Sequence, residues 1–300
     1  MTLVFIGGAT GTGKSDLAVS LAQRLGGEVV SADSMQLYRG MDIGTAKLSV
    51  VERKGIVHHM LDLVEVSSDI NVAWYQEQAR LIIDYLLERD IPVIVVGGTG
   101  FYIKAILDDL HFPDTDPVLR EKLTNQAEKI GNEAMHQRLS ILDPAAGAAI
   151  PKENVRRVIR ALEVIEITGK PFTANLPREG STRYPHALQF GLTIDREVLD
   201  TRVERRVDRM FEGGLTAEVD SLIEKGLLQG KTARAALGYA QVIQALSGEI
   251  SIDEAILQTK LATRQYIRRQ ETWFKRDQRI TWLDSDSKRL AMIEKAILTT

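Results

Sequence analysis

The chain has no cysteine among its 300 residues, which excludes disulfide frameworks, thiolate zinc sites, iron–sulfur clusters and a cysteine nucleophile, and fits a reducing compartment. It also lacks any apolar run near the roughly 18 residues that a membrane helix needs. The segment Met1-Thr2-Leu3-Val4-Phe5-Ile6-Gly7-Gly8 carries neither a basic leader nor a cleavage site. These absences predict a cytoplasmic protein with no membrane partner. Aromatics are scarce, at 6%, and neither sign of charge dominates, 38 basic residues standing against 41 acidic ones for a net −3. There is no internal repeat and no low-complexity tract. What remains, 44% hydrophobic and 26% charged, is a globular composition long enough for one large domain with an insertion or for two modest domains.

The small net charge hides an asymmetry. Residues 1–112 carry 9 Lys and Arg against 14 Asp and Glu, whereas 113–300 carry 29 against 27. Bulk charge therefore does not imply a nucleic-acid partner, but arginines gathered on one face would still supply one.

Short apolar runs alternate with helix-period stretches through the first half. Val4-Phe5-Ile6 precedes a helical pattern over Lys14–Leu25 that Gly26-Gly27 ends; Val29-Val30 follows, then a helix over about Ala73–Glu88, then Ile91-Pro92-Val93-Ile94-Val95-Val96 stopped by Gly97-Gly98. Continuous apolar strands separated by helices predict a parallel α/β sheet covered on both faces. From Phe112-Pro113 to about Pro185 the strand-like runs disappear, and the spacing predicts helices over Pro117–Ile130, Glu133–Leu142 and Pro151–Thr168, with Gly169 just past the last. Pro177-Arg178-Glu179-Gly180-Ser181 has loop composition. Leu188–Ile194 resembles a returning strand, helices follow it, and Ile280-Thr281-Trp282-Leu283 is a late strand candidate. The pattern predicts a core domain of residues 1–112 and 186–300 interrupted by a helical insertion domain of residues 113–185.

Gly8-Ala9-Thr10-Gly11-Thr12-Gly13-Lys14-Ser15 matches G-x-x-x-x-G-K-[ST] between a predicted strand and a predicted helix. Such a loop turns backbone N–H groups inward beneath a positive helix N-terminus. Lys14 adds a mobile charge and Ser15 a hydroxyl suited to Mg²⁺. The motif predicts a P-loop NTPase-like fold gripping a di- or triphosphate. In ATPases and GTPases a later apolar strand usually ends in a metal-supporting acid, but here that strand ends in Gly97-Gly98-Thr99-Gly100. The acid is Asp33, after Val29-Val30-Ser31-Ala32, at a strand end that faces the ligand crevice of an open parallel sheet. Asp33 is placed either to take a proton from a nucleophile or to cap a turn. Thr99 offers a hydroxyl in the same crevice or serves a tight turn. A small-molecule or nucleoside kinase fits these features as well as other diphosphate chemistry does; a purely RNA-binding module leaves Lys14-Ser15 without a reason.

The constellation Gly8–Ser15, Asp33-Ser34-Met35-Gln36-Leu37-Tyr38-Arg39-Gly40-Met41-Asp42-Ile43-Gly44-Thr45-Ala46-Lys47, His58-His59 and Gly97-Gly98-Thr99-Gly100-Phe101-Tyr102 resembles the tRNA dimethylallyltransferase family, also called tRNA isopentenyltransferases. The likeness runs on through Arg160–Val164, Arg202–Arg206, Gly238-Tyr239 and Thr263–Phe274, covering nearly the whole chain. It implies transfer of a dimethylallyl group from dimethylallyl diphosphate to N6 of the adenosine just 3′ of the anticodon in tRNA, releasing pyrophosphate. It also implies Asp33 as general base, Thr99 at the reacting centre, and Arg206 beside Lys14 and Mg²⁺ on the diphosphate. The tRNA anticodon arm is expected on Asp33, Ser34, Met35, Gln36, Thr99 and the segment Arg156-Arg157-Val158-Ile159-Arg160, with the enzyme a monomer. Ala9 and Ser15 stand where the family more often has Pro and Thr, and both keep the cradle and the metal hydroxyl. Ala240 replaces a basic residue of several relatives. Eukaryotic members add a cysteine-containing zinc module; with no cysteine, this chain resembles the bacterial form.

Helical spacing puts Val203, Val207 and Met210 on one stripe and Arg202, Arg206 and Arg209 on the next, while Val155, Val158, Ile159 and Leu162 form a core stripe flanked by Arg156, Arg157 and Arg160. Each arginine set reads as a solvated salt-bridged face or as an RNA contact. Lys260–Arg279 holds seven basic residues against two acids, predicting phosphate contact, whereas Trp273 and Phe274 are expected in the core.

Overall fold

The computed structural model describes residues 1–175, 181–284 and 288–299. Its sheet has six parallel strands in the order β3-β2-β4-β1-β5-β6, with β1 Leu3–Gly8, β2 Glu28–Ser31, β3 His58–His59, β4 Val93–Gly97, β5 Leu188–Leu192 and β6 Thr281–Leu283. The continuous apolar runs are explained by two covered faces. Leu3, Phe5, Val30, Val93 and Val95 face one cluster, packed under α2 (Val72–Leu87) and α3 (Gly100–Leu107) with Phe274. Val4, Ile6, Val29, Ile94 and Val96 face the other, with α1 (Lys14–Leu25) and α12 (Arg289–Thr299). A third cluster joins Tyr38, Met41 and Val66 to α9 (Leu215–Glu224) and α10 (Tyr239–Leu246). No helix among the described residues is long and apolar enough to cross a membrane.

The chain divides into one unit of residues 1–107 and 184–300 and a second of 108–183. The division lies a few residues from the 112/113 and 185/186 boundaries suggested by composition, because Asp108 pairs with Thr182 in an antiparallel bridge that belongs to the second unit.

That second unit is helical: α4 Pro117–Ile130, α5 Asn132–Leu142, α6 Pro144–Ala149 and α7 Val155–Thr168. The helix expected from Pro151 begins instead at Val155, since the Asn154 side chain accepts the Arg157 N–H and sets the start. Gly169 closes it in the left-handed conformation, as its position suggested. The short α6 and the helix α3 were not legible in the sequence pattern. Most of the loop assigned to 177–181 lies outside the described residues. The unit's core is Leu123, Met135, Leu139, Val158, Ile159 and Leu162. Beside it the fully buried Glu163 carboxylate accepts from the Asp116 N–H at 2.9 Å, from Arg120 at 2.8 Å and from Arg160 at 3.0 Å.

Candidate active site

The loop between β1 and α1 is a backbone cradle. Gly8 has φ +138°, and a Cβ there would stand 2.8 Å from the Leu192 carbonyl on β5, so only glycine fits. Helix α1 starts at Lys14 with no side-chain cap, leaving its first N–H groups open to an anion. Two long-range contacts brace the cradle. The buried Arg289 guanidinium donates to the carbonyls of Thr12 at 3.1 Å and Thr193 at 2.5 Å. The Thr10 N–H donates to Gln270 Oε1 at 3.0 Å, while Gln270 Nε2 donates to the Gly98 carbonyl at 2.8 Å. One buried amide from α11 (Ile252–Phe274) thus ties the phosphate loop to the turn after β4. Replacing Gln270 by Leu strands both backbone groups, and the expected cost is ~2 kcal/mol of stability, read as a lower urea midpoint at unchanged m value; an unchanged midpoint would contradict the brace.

Asp33 emerges from β2 and its Oδ1 accepts the Met35 N–H at 2.9 Å, so the turn-capping role holds. Asp33 also lines a cavity of about 1090 Å³ together with Lys14, Ser15, Gln36, Arg206, Tyr266 and Gln270. The strand ends are stitched beneath it, the Thr99 N–H reaching the Ala32 carbonyl at 3.3 Å and the Ser34 N–H reaching Thr99 Oγ1 at 3.3 Å. Tyr266 lines the same cavity, with Thr99 and Gln270 near enough to oppose the rise of its phenol. Tyr75, stacked on Tyr102 at 4.0 Å, donates to the Ser31 carbonyl at 2.9 Å.

Opposite Asp33 the cavity is basic. Helix α8 (Arg196–Glu212) buries Val203 and Val207 and turns Arg202, Arg205, Arg206 and Arg209 toward the cavity. Arg206 donates to the Thr45 carbonyl at 3.5 Å. Burial, and next the charge of Arg206, lower the Lys14 ammonium to about 7, with Asp33 opposing. Its Nζ donates to the Ala9 carbonyl at 2.6 Å. Burial likewise raises the Tyr266 phenol, and the Asp33 charge raises it further. Among the described residues no group of three or more His, Cys, Asp or Glu forms a metal cage. The hard hydroxyl of Ser15, on the cavity wall beside Lys14, suits a hard cation that takes its other ligands from a diphosphate and water.

The residues expected to contact RNA stand in different surroundings. Arg156 and Arg157 are exposed on α7, but Val158 and Ile159 are core residues at 1% and 6% exposure, so their side chains are not on the surface. Arg160 is turned to Glu163 and to the carbonyls of Pro113 and Asp114 at 2.7 and 3.1 Å. Within Lys260–Arg279, Lys260 pairs with Asp208 at 2.6 Å, Arg264 with Glu204 and Arg279 with Asp277 at 2.6 Å, and the other four basic residues, Arg268, Arg269, Lys275 and Arg276, are exposed. Phe274 is buried and Trp273 partly so, as expected of core residues. Gln270 and Tyr266 were not singled out from spacing. The signal was present: Gln270 continues the buried stripe Ala255, Thr259, Thr263 and Ile267, and a glutamine on a buried stripe calls for partners.

A family model described as IPP transferase matches residues 36–277. A tRNA dimethylallyltransferase of Streptomyces avermitilis is 51% identical over 296 residues, covering 99% of this chain and 94% of that protein. One of Thermobifida fusca is 52% identical, covering 95% and 91%. Among solved structures, the tRNA isopentenylpyrophosphate transferase of Bacillus halodurans superposes with a TM-score of 0.72 at 39% identity, covering 99% of this chain and 96% of that one. A eukaryotic dimethylallyltransferase acting on tRNA superposes with a TM-score of 0.82 at 29% identity, covering 99% and 77%.

Proposed function

The chain belongs to the IPP transferase family of tRNA dimethylallyltransferases and is an enzyme, and from that premise we propose how its residues share the work of moving a dimethylallyl group from dimethylallyl diphosphate to N6 of the adenosine 3′-adjacent to the anticodon in tRNA. The exocyclic amine of adenine is a poor nucleophile because its lone pair is delocalised into the ring. Two aids lower the barrier: removal of the amine proton, and stabilisation of the charge that grows on the departing diphosphate. Asp33 provides the first. Its Oδ1 is engaged by the Met35 N–H, which fixes the carboxylate while Oδ2 takes the proton as the N6–C1 bond forms and the C1–O bond breaks. The electron pair of that bond leaves with pyrophosphate.

The second aid comes from the phosphate cradle Gly8–Ser15 and from Arg206. Arg206 lies near enough to lower the proton affinity of Lys14, and together they meet the leaving charge. Ser15 would hold Mg²⁺ there, and the ion, when bound, neutralises diphosphate oxygens. Thr99, bonded to the Ser34 N–H, sits at the reacting centre, and Ser34, Met35 and Gln36 receive the adenine's neighbours. A target base in a loop is unstacked at less cost than one in a duplex. The enzyme works as a monomer in the cytoplasm, where its tRNA is found.

The observation that carries this reading is the single cavity shared by Lys14, Asp33 and Arg206, in a chain whose relatives are named for prenyl transfer rather than for phosphoryl transfer. Incubation with unmodified tRNA and either labelled dimethylallyl diphosphate or γ-labelled ATP tests it: label from the allyl donor is expected in the RNA, and label from ATP alone would restore the kinase alternative. For the RNA side, the exposed Arg157 on α7 meets a phosphate. Arg157→Ala is expected to weaken tRNA binding at low salt and to flatten the slope of log affinity against log salt by about 1; a loss independent of salt would remove the phosphate contact.

A further inference from the structure

One carboxylate outside the reacting groups collects an unusual set of donors. Glu218, on α9, accepts from three successive backbone N–H groups of the loop that follows Asp33: Asp42 at 3.1 Å, Ile43 at 2.8 Å and Gly44 at 3.3 Å. The hydroxyl of the fully buried Tyr239, the first residue of α10, donates to the same carboxylate at 2.5 Å. The Tyr239 ring closes on the loop so tightly that a Cβ at Gly44 would lie 2.4 Å from it. Burial raises the Tyr239 phenol and the Glu218 charge raises it further, in keeping with a phenol that donates to a carboxylate.

The residue after this clamp faces the chemistry. The Thr45 carbonyl accepts from Arg206 at 3.5 Å and from Gln36 Nε2 at 3.3 Å, and Gln36 Oε1 in turn accepts the Ser31 hydroxyl at 2.9 Å. Asp42, Ile43 and Thr45 line the same cavity as Asp33. A negative group bound to consecutive N–H groups holds a backbone more firmly than neutral acceptors do. The carboxylate therefore sets where the Thr45 carbonyl stands, and through it the direction of the guanidinium.

We infer that Glu218 is a positioning residue for prenyl transfer: with Tyr239 it fixes the backbone at 42–44 so that Thr45 aims Arg206 at the leaving diphosphate. This rests on the reading of Arg206 given above. Misplacement of a reacting group by about 1 Å costs on the order of 10²-fold in rate, so Glu218→Gln is expected to lower kcat by roughly tenfold to a hundredfold with KM for tRNA within about twofold. Because its effect passes through Arg206, the same substitution added to Arg206→Ala is expected to cost less than about twofold more; groups acting as a unit are non-additive.

The experiment is that double-mutant cycle, with kcat and both KM values measured for wild type, Glu218→Gln, Arg206→Ala and the pair. Should Arg206→Ala keep the wild-type kcat, the leaving-group role of Arg206 falls and this inference falls with it. Should Arg206→Ala be crippled while Glu218→Gln retains the wild-type kcat, or loses the same factor in both backgrounds, the positioning role alone is overturned. Where Glu218→Gln does not fold, Tyr239→Phe keeps the ring packed on Gly44 and removes only the hydroxyl. A several-fold fall in kcat with faster amide exchange at 42–44 then supports the clamp, and unchanged values of both overturn it.

Discussion

Asp33→Ala is expected to lower the single-turnover rate of allyl transfer by about 10²- to 10⁴-fold while the dissociation constant for tRNA stays within about twofold. The two readouts separate because the carboxylate acts on one proton in the transition state, whereas tRNA affinity is spread over many phosphate contacts. The alanine also removes the acceptor for the Met35 N–H, and a loosened turn after β2 would by itself disturb Ser34 and Gln36. Asp33→Asn is the control that divides these effects: its amide oxygen keeps the turn and its conjugate acid is far too strong for it to serve as a base. Equal rate losses in the two variants, at wild-type thermal stability, assign the effect to proton removal. Normal chemistry in a quench-flow experiment, with tRNA affinity lost instead, would reduce Asp33 to an RNA contact and turn cap.

Elements written in local chemistry were legible. Helix α1 runs over Lys14–Leu25 and α4 over Pro117–Ile130, the bounds that their periodicity and end residues suggested, because Gly26 and the Asp116 cap act within a few residues of the helices they delimit. The sheet was legible for a related reason: strands covered on both faces lose their polar alternation. What escaped depends on partners distant in the chain. Glu218 meets a loop about 175 residues away, and no spacing rule points from one to the other. Arg157 and Arg160 carry the same flank signal, yet Glu163 lies one turn after Arg160 on the same helix and draws that guanidinium onto its buried carboxylate. Lys260 and Arg264 count as basic in composition, but α8 places Asp208 and Glu204 against them. The two-residue strand β3 is too short to show a period at all.

Lys14→Ala is expected to raise KM for dimethylallyl diphosphate and to lower kcat by about 10²- to 10³-fold, the usual cost of one preorganised donor to a developing anion. Its pH behaviour is the sharper test. In the free enzyme burial and the Arg206 charge hold Lys14 at about 7; a diphosphate set beside it adds negative charge, which favours the ammonium and raises that value. Above pH 7 the free enzyme is therefore mostly neutral at Lys14 while the complex is mostly charged, so binding takes up a proton and weakens as pH rises, by up to about tenfold per unit. Below that value Lys14 is already charged in both states and its contribution to the pH dependence vanishes. Calorimetry of pyrophosphate binding at pH 8, in two buffers of different ionisation enthalpy, reads the uptake directly. Wild type is expected to take up nearly one proton more than Lys14→Ala, and equal uptake by the two would separate Lys14 from the diphosphate.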